Sequence, residues 1–342
     1  MTRVRVGLIG CGRIGGAVHL RVLHRMPAAT LAAVADPSPA ARADAARIAG
    51  ADVTADPMEL LGRRDIDAVV ICAPSDRHSQ LAIAAARAGK AVYLEKPLAL
   101  SVADGRAAVA ALAATGRPAA IGFNHRFHPL HQRARALLRD GAIGPVRHVV
   151  TSFCEPTAPD VMPAWKRRFE TGGGVLLDLG SHQVDLAGWF LGEEVAEATA
   201  TLRSEVSEHD TAELRLELGG GVAVDAFLSF RAGRCDWWRF AGERGTLVVD
   251  RYASRLELTT TASGGAVRRV RWPRAPRPWQ ARKALRPGWE PSYRRALRAF
   301  VAAAGGAPVE LPSPEDGLRS LEAILAAEAS ASRALQIPAL AG

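Results

Sequence analysis

The sequence predicts an α/β protein with two parts, an N-terminal doubly wound parallel sheet and a C-terminal α+β domain with a large, mostly antiparallel sheet. Three observations support this prediction. A glycine-rich turn ends the first apolar run, short apolar runs then alternate with helical segments, and strands with a period of two follow from about residue 195. Alternating strands and helices are typical of parallel sheets, whereas consecutive strands joined by turns are typical of antiparallel ones. We expect domains at residues 1–125 and 126–342.

The first apolar run, Val4–Ile9, ends in the sequence GCGRIG at residues 10–15, which matches the pattern G-x-G-x-x-G. Gly10 permits a tight turn, Gly12 lets the backbone approach a pyrophosphate, and Gly15 lets the next helix lie close to the strand. Unpaired N–H groups and the positive end of the helix dipole would hold the phosphates. The pattern predicts a dinucleotide site, although glycine-rich turns without a ligand are also common.

A second apolar run at residues 31–35 ends at Asp36, about 20 residues after the glycine motif, where a ribose-binding acid is expected. A carboxylate there accepts hydrogen bonds from both ribose hydroxyls and repels a 2'-phosphate. NAD is therefore favoured over NADP. Two alternatives stay open, because Asp36 could instead be a turn residue before Pro37 and Arg42 could meet a phosphate.

The remaining elements of the N-terminal part follow from apolar runs and helix boundary residues. We predict strands at residues 68–71, 91–94 and 119–122, and helices at residues 14–26, beyond Pro39, and at residues 78–88 and 102–114. Ligands of a doubly wound sheet bind at the carboxyl ends of its strands. We therefore expect one rim to carry the residues that follow the strands: Gly10, Asp36, Pro74, Lys96 and Asn124.

The later part of the chain alternates apolar and polar residues over many short segments. We predict strands at residues 146–152, 195–202, 211–218, 222–230, 237–241, 246–249 and 256–260, and helices at residues 130–139, 292–304 and 315–335, with a further helix ending near Phe190. Turns such as Gly219-Gly220-Gly221 indicate antiparallel pairing. The final helix is expected to pack back on the fold.

Lys96 is the first candidate for chemistry, since it ends a predicted strand within Glu95-Lys96-Pro97. Only four lysines stand among 44 basic residues, so a compact ammonium here is informative. Beside a nicotinamide it would donate a hydrogen bond to the substrate oxygen. The alternative is a solvated lysine at the end of a strand.

Asp178, His182 and Asp185 form the second candidate, at spacings of four and three residues that place them on one helix face. An imidazole can move a proton near working pH, and a nearby carboxylate can orient it or bind a hydroxyl. The preceding run of three glycines permits close approach of a ligand. Alternatives are a helix cap with a core histidine, or a metal site from these three side chains, although hydride transfer needs no metal.

Composition narrows the class of protein. At 342 residues and 48% apolar the chain can form two cores, and it has no apolar run of 18 residues and no secretory signal sequence. We expect a cytoplasmic protein without a membrane segment. The four cysteines, Cys11, Cys72, Cys154 and Cys235, lack zinc or disulfide spacing and are expected to be small buried side chains.

The net charge of +9 comes from one segment, residues 268–298, where Glu290 is the single acid among many arginines. Tryptophans and prolines interleave with those arginines, which favours an extended arm over a helix. The arm could pack on a neighbouring subunit with solvated arginines. Alternatively it could bind an anionic substrate such as a nucleotide-sugar diphosphate, whereas stacking on single-stranded nucleic acid is disfavoured.

These motifs together resemble those of the Gfo/Idh/MocA oxidoreductases, the glucose-fructose oxidoreductase and inositol dehydrogenase group. The resemblance covers nearly the whole chain, and the combination of Glu-Lys-Pro with Asp-x-x-x-His is specific. It is carried by the glycine motif at residues 10–15, Ala73-Pro74-x-x-x-His78, Ala88-Gly89-Lys90, Glu95-Lys96-Pro97, residues 122–127 and GGGVLLDLGSHQVD at residues 172–185.

The resemblance implies a Rossmann domain followed by an α/β domain whose open sheet mediates homodimers or homotetramers. It implies reversible oxidation of a ring hydroxyl in a sugar or cyclitol by NAD or NADP, without a metal. Lys96 matches the active-site lysine, His182 the general acid/base, and Asp178 the carboxylate that contacts substrate and histidine.

Further site residues are implied in the same way. Cofactor contacts are expected at Gly10, Gly12, Arg13, Ile14, Gly15, Asp36, Ala73, Pro74, His78, Glu95, Lys96 and Asn124. Substrate contacts are expected at Lys96, Arg126, Trp165, Asp178, His182 and Asp185, with Lys166 and Arg168 in the same variable wall as Trp165. Two other functions stay open, an NAD-dependent glycosidase that oxidises its substrate transiently and a non-catalytic NAD(P)-binding protein.

Overall fold

The computed structural model describes residues 3–158, 162–261, 267–272 and 290–334, which divide into two compact units. The first unit contains the chain up to Phe127 together with Glu290–Leu321, and the second contains the described parts of His128–Trp289 and of the chain from Glu322 onward. Residues 290–321 thus pack within the first unit, whereas the predicted division assigned them to the second domain.

The first unit is built on a sheet of six parallel strands. These are β1 (Val4–Ile9), β2 (Ala29–Ala35), β3 (Asp52–Thr54), β4 (Ala68–Ile71), β5 (Ala91–Leu94) and β6 (Ala119–Ile121). Their order, β3-β2-β1-β4-β5-β6, is that of doubly wound dinucleotide-binding sheets. The predicted parallel sheet is confirmed.

The second unit is built on an eight-stranded sheet. Its strands are β7 (Val146–Cys154), β8 (Val195–Arg203), β9 (Thr211–Leu218), β10 (Ala223–Ser229), β11 (Cys235–Gly242), β12 (Gly245–Asp250), β13 (Arg255–Thr261) and β14 (Val267–Trp272). The order is β14-β13-β12-β11-β7-β10-β9-β8, and all neighbours are antiparallel except β7 and β10. The predicted mostly antiparallel sheet is confirmed.

The helices start and end at recognisable residues. They are α1 (Leu20–His24), α2 (Pro39–Ala49), α3 (Pro57–Gly62), α4 (His78–Arg87), α5 (Val102–Ala113), α6 (Pro129–Arg139), α7 (Ser181–Leu191), α8 (Pro291–Ala304) and α9 (Pro314–Ala334). The Asp56 side chain accepts from the Met58 N–H at 2.8 Å and so caps α3, and Ser101 caps α5 in the same way. Among these helices of the described residues, none is both long and apolar enough to cross a bilayer.

The core of the first unit lies on both faces of its sheet. Val6, Leu8 and Val70 are fully buried in the central strands, and helix α8 adds Leu297 and Phe300 to the same cluster. Burying an aromatic or aliphatic side chain of this size stabilises the fold by about 1.5–3 kcal/mol. Helix α8 is therefore an integral part of the first unit.

The second sheet buries one face and leaves the other open. Phe190 of α7 packs against Trp238 and Phe240 of β11, with ring centroids 5.2 Å from each. On the other face Phe227 and Val150 are 37% and 38% exposed among charged side chains. A shallow depression of about 800 Å³ crosses this part of the sheet.

Three elements were not predicted. Strand β3 has three residues and no fully buried position, and α3 is six residues long, so neither produces a periodic apolar run. The third is strand β14, which forms the first part of the basic segment that was expected to be an extended arm. The last part of that segment belongs to helix α8, which was predicted and begins at Pro291. The prolines and tryptophans at residues 273–289 lie outside the described residues.

Candidate active site

The turn at residues 10–15 has the backbone geometry of a phosphate site. Gly10 has φ +89°, and a Cβ on it would lie 2.6 Å from the carbonyl oxygen of Cys72. A Cβ on Gly15 would lie only 1.9 Å from the carbonyl oxygen of Gly10. A Cβ on Gly12, by contrast, would meet no atom within 4 Å. Folding therefore requires the first and third glycines, whereas the second borders open space that a pyrophosphate fits.

The helix that follows this turn is already helical at Arg13 and Ile14 and continues through a π-helical turn, Gly15–His19, into α1. The Gly16 N–H donates to the Gly12 carbonyl oxygen at 2.8 Å, so the N–H groups before Gly16 precede this first helical bond, where an anion can bind. Arg13 is exposed beside them. These features fit a dinucleotide pyrophosphate at the predicted position.

Asp36 is fixed next to the glycine turn at the carboxyl end of β2. Its Oδ2 accepts from the Cys11 N–H at 2.6 Å and its Oδ1 from the Ser38 N–H at 2.8 Å. Each oxygen keeps acceptor capacity for a ribose hydroxyl. The Arg42 guanidinium donates to the carbonyl oxygens of Asp36 and Pro37, at 2.8 and 2.9 Å. Arg42 is thus held by main-chain carbonyls close to the acid.

His78 connects the loops that follow β4 and β5. Its Nδ1 lies 2.6 Å from the carbonyl oxygen of Pro97 and its Nε2 lies 2.9 Å from that of Ala73. Burial lowers the pKa of His78, and the Lys96 charge acts in the same direction. Both partners are carbonyl oxygens, which can only accept a hydrogen bond from a ring N–H. His78 therefore braces the loop that carries Lys96, which is itself partly buried.

Glu95 is engaged by a residue that the sequence analysis did not identify. Its Oε1 lies 2.6 Å from Nε2 of His19, and His19 is fully buried. A Cβ on Gly122 would lie 2.7 Å from the other oxygen of Glu95. The carboxylate before Lys96 is thus packed inside the unit, and its predicted cofactor contact stays a prediction. The signal in the sequence that could have identified His19 is a histidine among the apolar residues of the first helix.

Asn124 and Arg126 lie in the turn Asn124–Phe127 and are held by the last helices of the first unit. The Asn124 Nδ2 donates to Ser292 Oγ at 2.6 Å, and the Arg126 Nη1 donates to Asp316 Oδ2 at 3.0 Å. Burial opposes ionisation of Asp316, but the Arg126 charge and the Ser313 N–H keep the pKa of Asp316 below its ordinary value. The predicted cofactor and substrate roles stay predictions, and these bonds give both side chains defined positions.

In the second unit, Asp178 and His182 lie on one continuous helical segment. Asp178 belongs to a π-helical turn, Leu176–Gly180, and His182 is the second residue of α7. His182 and Asp185 are 6% exposed, whereas Asp178 is more accessible. The His182 ring lies 6.3 Å from the Phe153 ring of β7, measured between centroids. The π-helical turn runs into α7 without a break, so Asp178 lies one turn before His182.

Lys166 contacts Asp178 directly, which the sequence did not predict. Its Nζ donates to Asp178 Oδ2 at 2.6 Å, and both side chains are 22% exposed. The ammonium also lies 5.7 Å from the centre of the Trp165 ring. Two residues of the predicted substrate wall are thereby placed beside a predicted catalytic carboxylate, whereas Arg168 is exposed.

The glycine run before Asp178 is held by a second loop. The Val175 N–H donates to the carbonyl oxygen of His209 at 2.8 Å, and His209 has φ +50°. His209 Nδ1 lies 3.0 Å from Glu328 Oε1, and this carboxylate raises the pKa of His209 against the effect of burial. His209 thus connects the start of the helical segment that carries Asp178 to α9.

The alternative of a metal site finds no geometric counterpart in this part of the chain. Across residues 3–158, 162–261, 267–272 and 290–334, no group of three His, Cys, Asp or Glu side chains is arranged to hold a metal ion.

Comparisons with known proteins extend over both units. A family model described as an oxidoreductase family with an NAD-binding Rossmann fold matches residues 4–123, and a model of the GFO/IDH/MocA C-terminal domain matches residues 131–248. Both matches fall where the two sheets are found.

Individual relatives match the whole chain or most of it. The chain is 32% identical over 344 residues to inositol 2-dehydrogenase of Rhizobium meliloti (strain 1021), with 98% of each covered. It is 30% identical over 231 residues to scyllo-inositol 2-dehydrogenase (NAD(+)) of Bacillus subtilis (strain 168), covering 65% of this chain and 66% of that protein.

A solved structure agrees as well. The crystal structure of an oxidoreductase domain protein from Kribbella flavida superposes with a TM-score of 0.84 at 29% identity and covers 98% of both chains. Both family models match in the expected order, and an inositol 2-dehydrogenase aligns along the full length. The chain therefore belongs to the GFO/IDH/MocA family of NAD-binding oxidoreductases.

Proposed function

We propose that the protein is an NAD-dependent dehydrogenase that interconverts a ring hydroxyl and a ketone on a cyclitol or sugar. The observation that carries this proposal is the placement of a buried histidine, His182, one turn after a more accessible carboxylate, Asp178, on one continuous helical segment. The names of the relatives, which are inositol 2-dehydrogenases, support the substrate class.

The roles follow from the chemistry of each side chain. Bound NAD supplies the hydride acceptor, and the protein supplies proton transfer and charge stabilisation. A ring nitrogen of His182 takes the proton of the substrate hydroxyl. The Lys96 ammonium donates a hydrogen bond to the same oxygen and stabilises the negative charge that develops there. The Asp178 carboxylate favours the imidazolium that forms.

The remaining predicted contacts complete the proposal. Arg126, Trp165 and Asp185 are proposed to bind the substrate ring. Asp185 lies on the same helix as His182, and Arg126 lies in the turn after β6. Trp165 precedes Lys166, which contacts Asp178. The cofactor would be bound by the glycine turn and Asp36, with contacts from the loops after β4, β5 and β6.

A substrate panel tests the function. Purified protein is mixed with NAD⁺ or NADP⁺ and with myo-inositol, scyllo-inositol, other cyclitols and simple sugars, and NADH is followed at 340 nm. We expect NADH to form in a one-to-one ratio with ketone. Glycoside cleavage without net NADH would support the glycosidase instead. Tight NAD binding with no turnover of any compound would support a non-catalytic protein.

Asp36 provides a prediction on cofactor choice. Asp36→Ser removes the charge that repels a 2'-phosphate, and Arg42 stands next to it. We expect the ratio of kcat/KM for NADP⁺ to that for NAD⁺ to rise by about tenfold or more, or about 1.4 kcal/mol. The matched control is Asp44→Ser, which removes an exposed acid from α2. An unchanged ratio in Asp36→Ser would refute the role of this carboxylate.

We also propose that the open face of the eight-stranded sheet mediates a homodimer or homotetramer. The exposed ring of Phe227 and the depression around it support this assignment. Replacing Phe227 by Arg would place an unpaired charge in a packed interface, and we expect monomers in size-exclusion chromatography with light scattering. Val309→Arg, at another exposed apolar position, should keep the wild-type mass. An unchanged mass for Phe227→Arg would exclude this face.

A further inference from the structure

One side chain in the second unit, that of Lys166, is placed to control the charge and the position of Asp178. The Lys166 ammonium donates to Asp178 Oδ2 at 2.6 Å in a site where both side chains are 22% exposed. Ion pairs on the open surface of proteins contribute little, but a pair this short and this shielded has a charge-assisted hydrogen bond of well-defined geometry. The Trp165 ring beside the ammonium restricts it further.

The main chain of Lys166 contacts the other end of the same segment. The Gly174 N–H donates to the Lys166 carbonyl oxygen at 3.4 Å, a long hydrogen bond. A Cβ on Gly173 would lie 2.2 Å from that oxygen, so only glycine allows this approach. Lys166 therefore contacts the last two glycines of the run with its carbonyl group, and with its ammonium it contacts the carboxylate four residues after Gly174.

We propose that Lys166 is a positioning residue, which holds Asp178 as an ionised acceptor at the helix entrance and thereby limits how strongly His182 binds a proton. The readouts that use turnover rest on the proposed function, whereas the titration described below does not. The physical reason is charge balance. A carboxylate that already pairs with a cation stabilises a neighbouring imidazolium less than a free carboxylate does.

Other charged groups lie on the elements around His182. Asp185 lies on the same helix, and the Arg251 guanidinium, in the turn after β12, lies 5.6 Å from the centre of the Phe153 ring. Arg251 pairs with Asp236 at 2.5 Å, and both are nearly fully buried. These groups are present in every Lys166 variant, so a difference in the titration of His182 between variants reports on Lys166 and Asp178.

The titration of His182 is the decisive measurement. The full-length protein is labelled with ¹³C at histidine Cε1, and the His182 resonance is assigned by its loss in His182→Gln. We expect its titration midpoint to rise by about half a pH unit to one unit in Lys166→Met, as for removal of a nearby cation. Lys166→Arg should leave the midpoint unchanged, since arginine restores the charge. An unchanged midpoint in Lys166→Met would overturn the proposal.

Activity gives a second and independent readout. At a pH below the His182 midpoint we expect kcat of Lys166→Met to fall about three- to tenfold, because a rise of half a pH unit to one unit leaves that much less of the imidazole unprotonated. NAD affinity should be unchanged, and Lys166→Arg should recover most of the loss. The matched control is Arg147→Met, which removes an exposed arginine of β7 that pairs with Glu243 in the turn after β11, and it should leave kcat unchanged. Equal kcat in Lys166→Met and wild type would overturn the proposal.

Three further outcomes distinguish the role of Lys166 from the proposed function and from a packing effect. If Lys166→Met does not fold, Lys166→Gln keeps a hydrogen-bond donor without the charge, and the same rise of the His182 midpoint is expected. If the wild type oxidises no cyclitol or sugar, the proposed function fails, and the titration still decides the role of Lys166. A midpoint that moves equally in the methionine and arginine variants would show a packing effect and contradict the charge argument.

Discussion

Gly12→Ala is expected to fold like the wild type and to bind NAD about 100-fold more weakly, which corresponds to about 2.8 kcal/mol. The structure separates folding from binding at this position, because a Cβ on Gly12 would meet no protein atom within 4 Å. The methyl group would instead occupy the space that the pyrophosphate needs in order to reach the backbone N–H groups. A loss of affinity without a loss of stability is the expected result.

Gly15→Ala is the informative contrast in the same turn. Its Cβ would lie 1.9 Å from the carbonyl oxygen of Gly10, a main-chain atom that cannot move without displacing the turn. We expect this variant to lose about 3 kcal/mol of unfolding free energy, the upper range for overpacking, and to lose NAD binding as a consequence. The two substitutions add the same methyl group within one motif and differ only in what it meets.

The measurements are NAD titration by calorimetry and thermal unfolding without cofactor. Gly62→Ala serves as the control, because a Cβ at the end of α3 also meets no atom within 4 Å and the site lies outside the glycine turn. It should change neither affinity nor stability by more than about 1 kcal/mol. Wild-type NAD affinity in Gly12→Ala would show that the dinucleotide does not bind at this turn.

His182→Gln is expected to lower kcat for alcohol oxidation by about 10²–10⁴-fold while NAD still binds with wild-type affinity. The amide of glutamine fills part of the volume of the ring and can hydrogen-bond, but it cannot take a proton near neutral pH. The effect should fall mainly on kcat, because the proton moves during the reaction rather than during binding.

A matched histidine makes this test specific. His24 is the last residue of α1 and is exposed. His24→Gln should leave kcat within about twofold of the wild type, since surface substitutions of this kind have small effects. Lys96→Met should also lower kcat strongly. In the proposed mechanism both side chains act on the substrate oxygen, so the double variant is expected to be only slightly worse than either single variant. Wild-type turnover in His182→Gln would reject its role as the base.

The fold class and the main candidates were accessible from local sequence, because each depends on patterns that span a few residues. Apolar runs with a β-branched bias and a glycine-rich turn predict a parallel strand that leads into a helix, and the structure places β1 and Gly10 accordingly. The spacing of Asp178 and His182 likewise predicts one helical segment. Periodicity of this kind reflects the geometry of one element and needs no information about its neighbours.

Only the tertiary structure decided which side chains contact the candidate site residues Glu95 and Asn124. Glu95 and His19 are 76 positions apart, Asn124 and Ser292 are 168 apart, and their contacts depend on how helices pack on the sheet.

The same holds for the central position of β7, which pairs in parallel with β10 although every other pair of neighbours in that sheet is antiparallel. Even Lys166 and Asp178, only 12 positions apart, meet because an irregular loop folds back over a glycine run. Sequence thus determined the type of each element and the chemistry available at its ends. Long-range packing determined which charges are paired, since a partner is chosen in space and leaves no periodic trace along the chain.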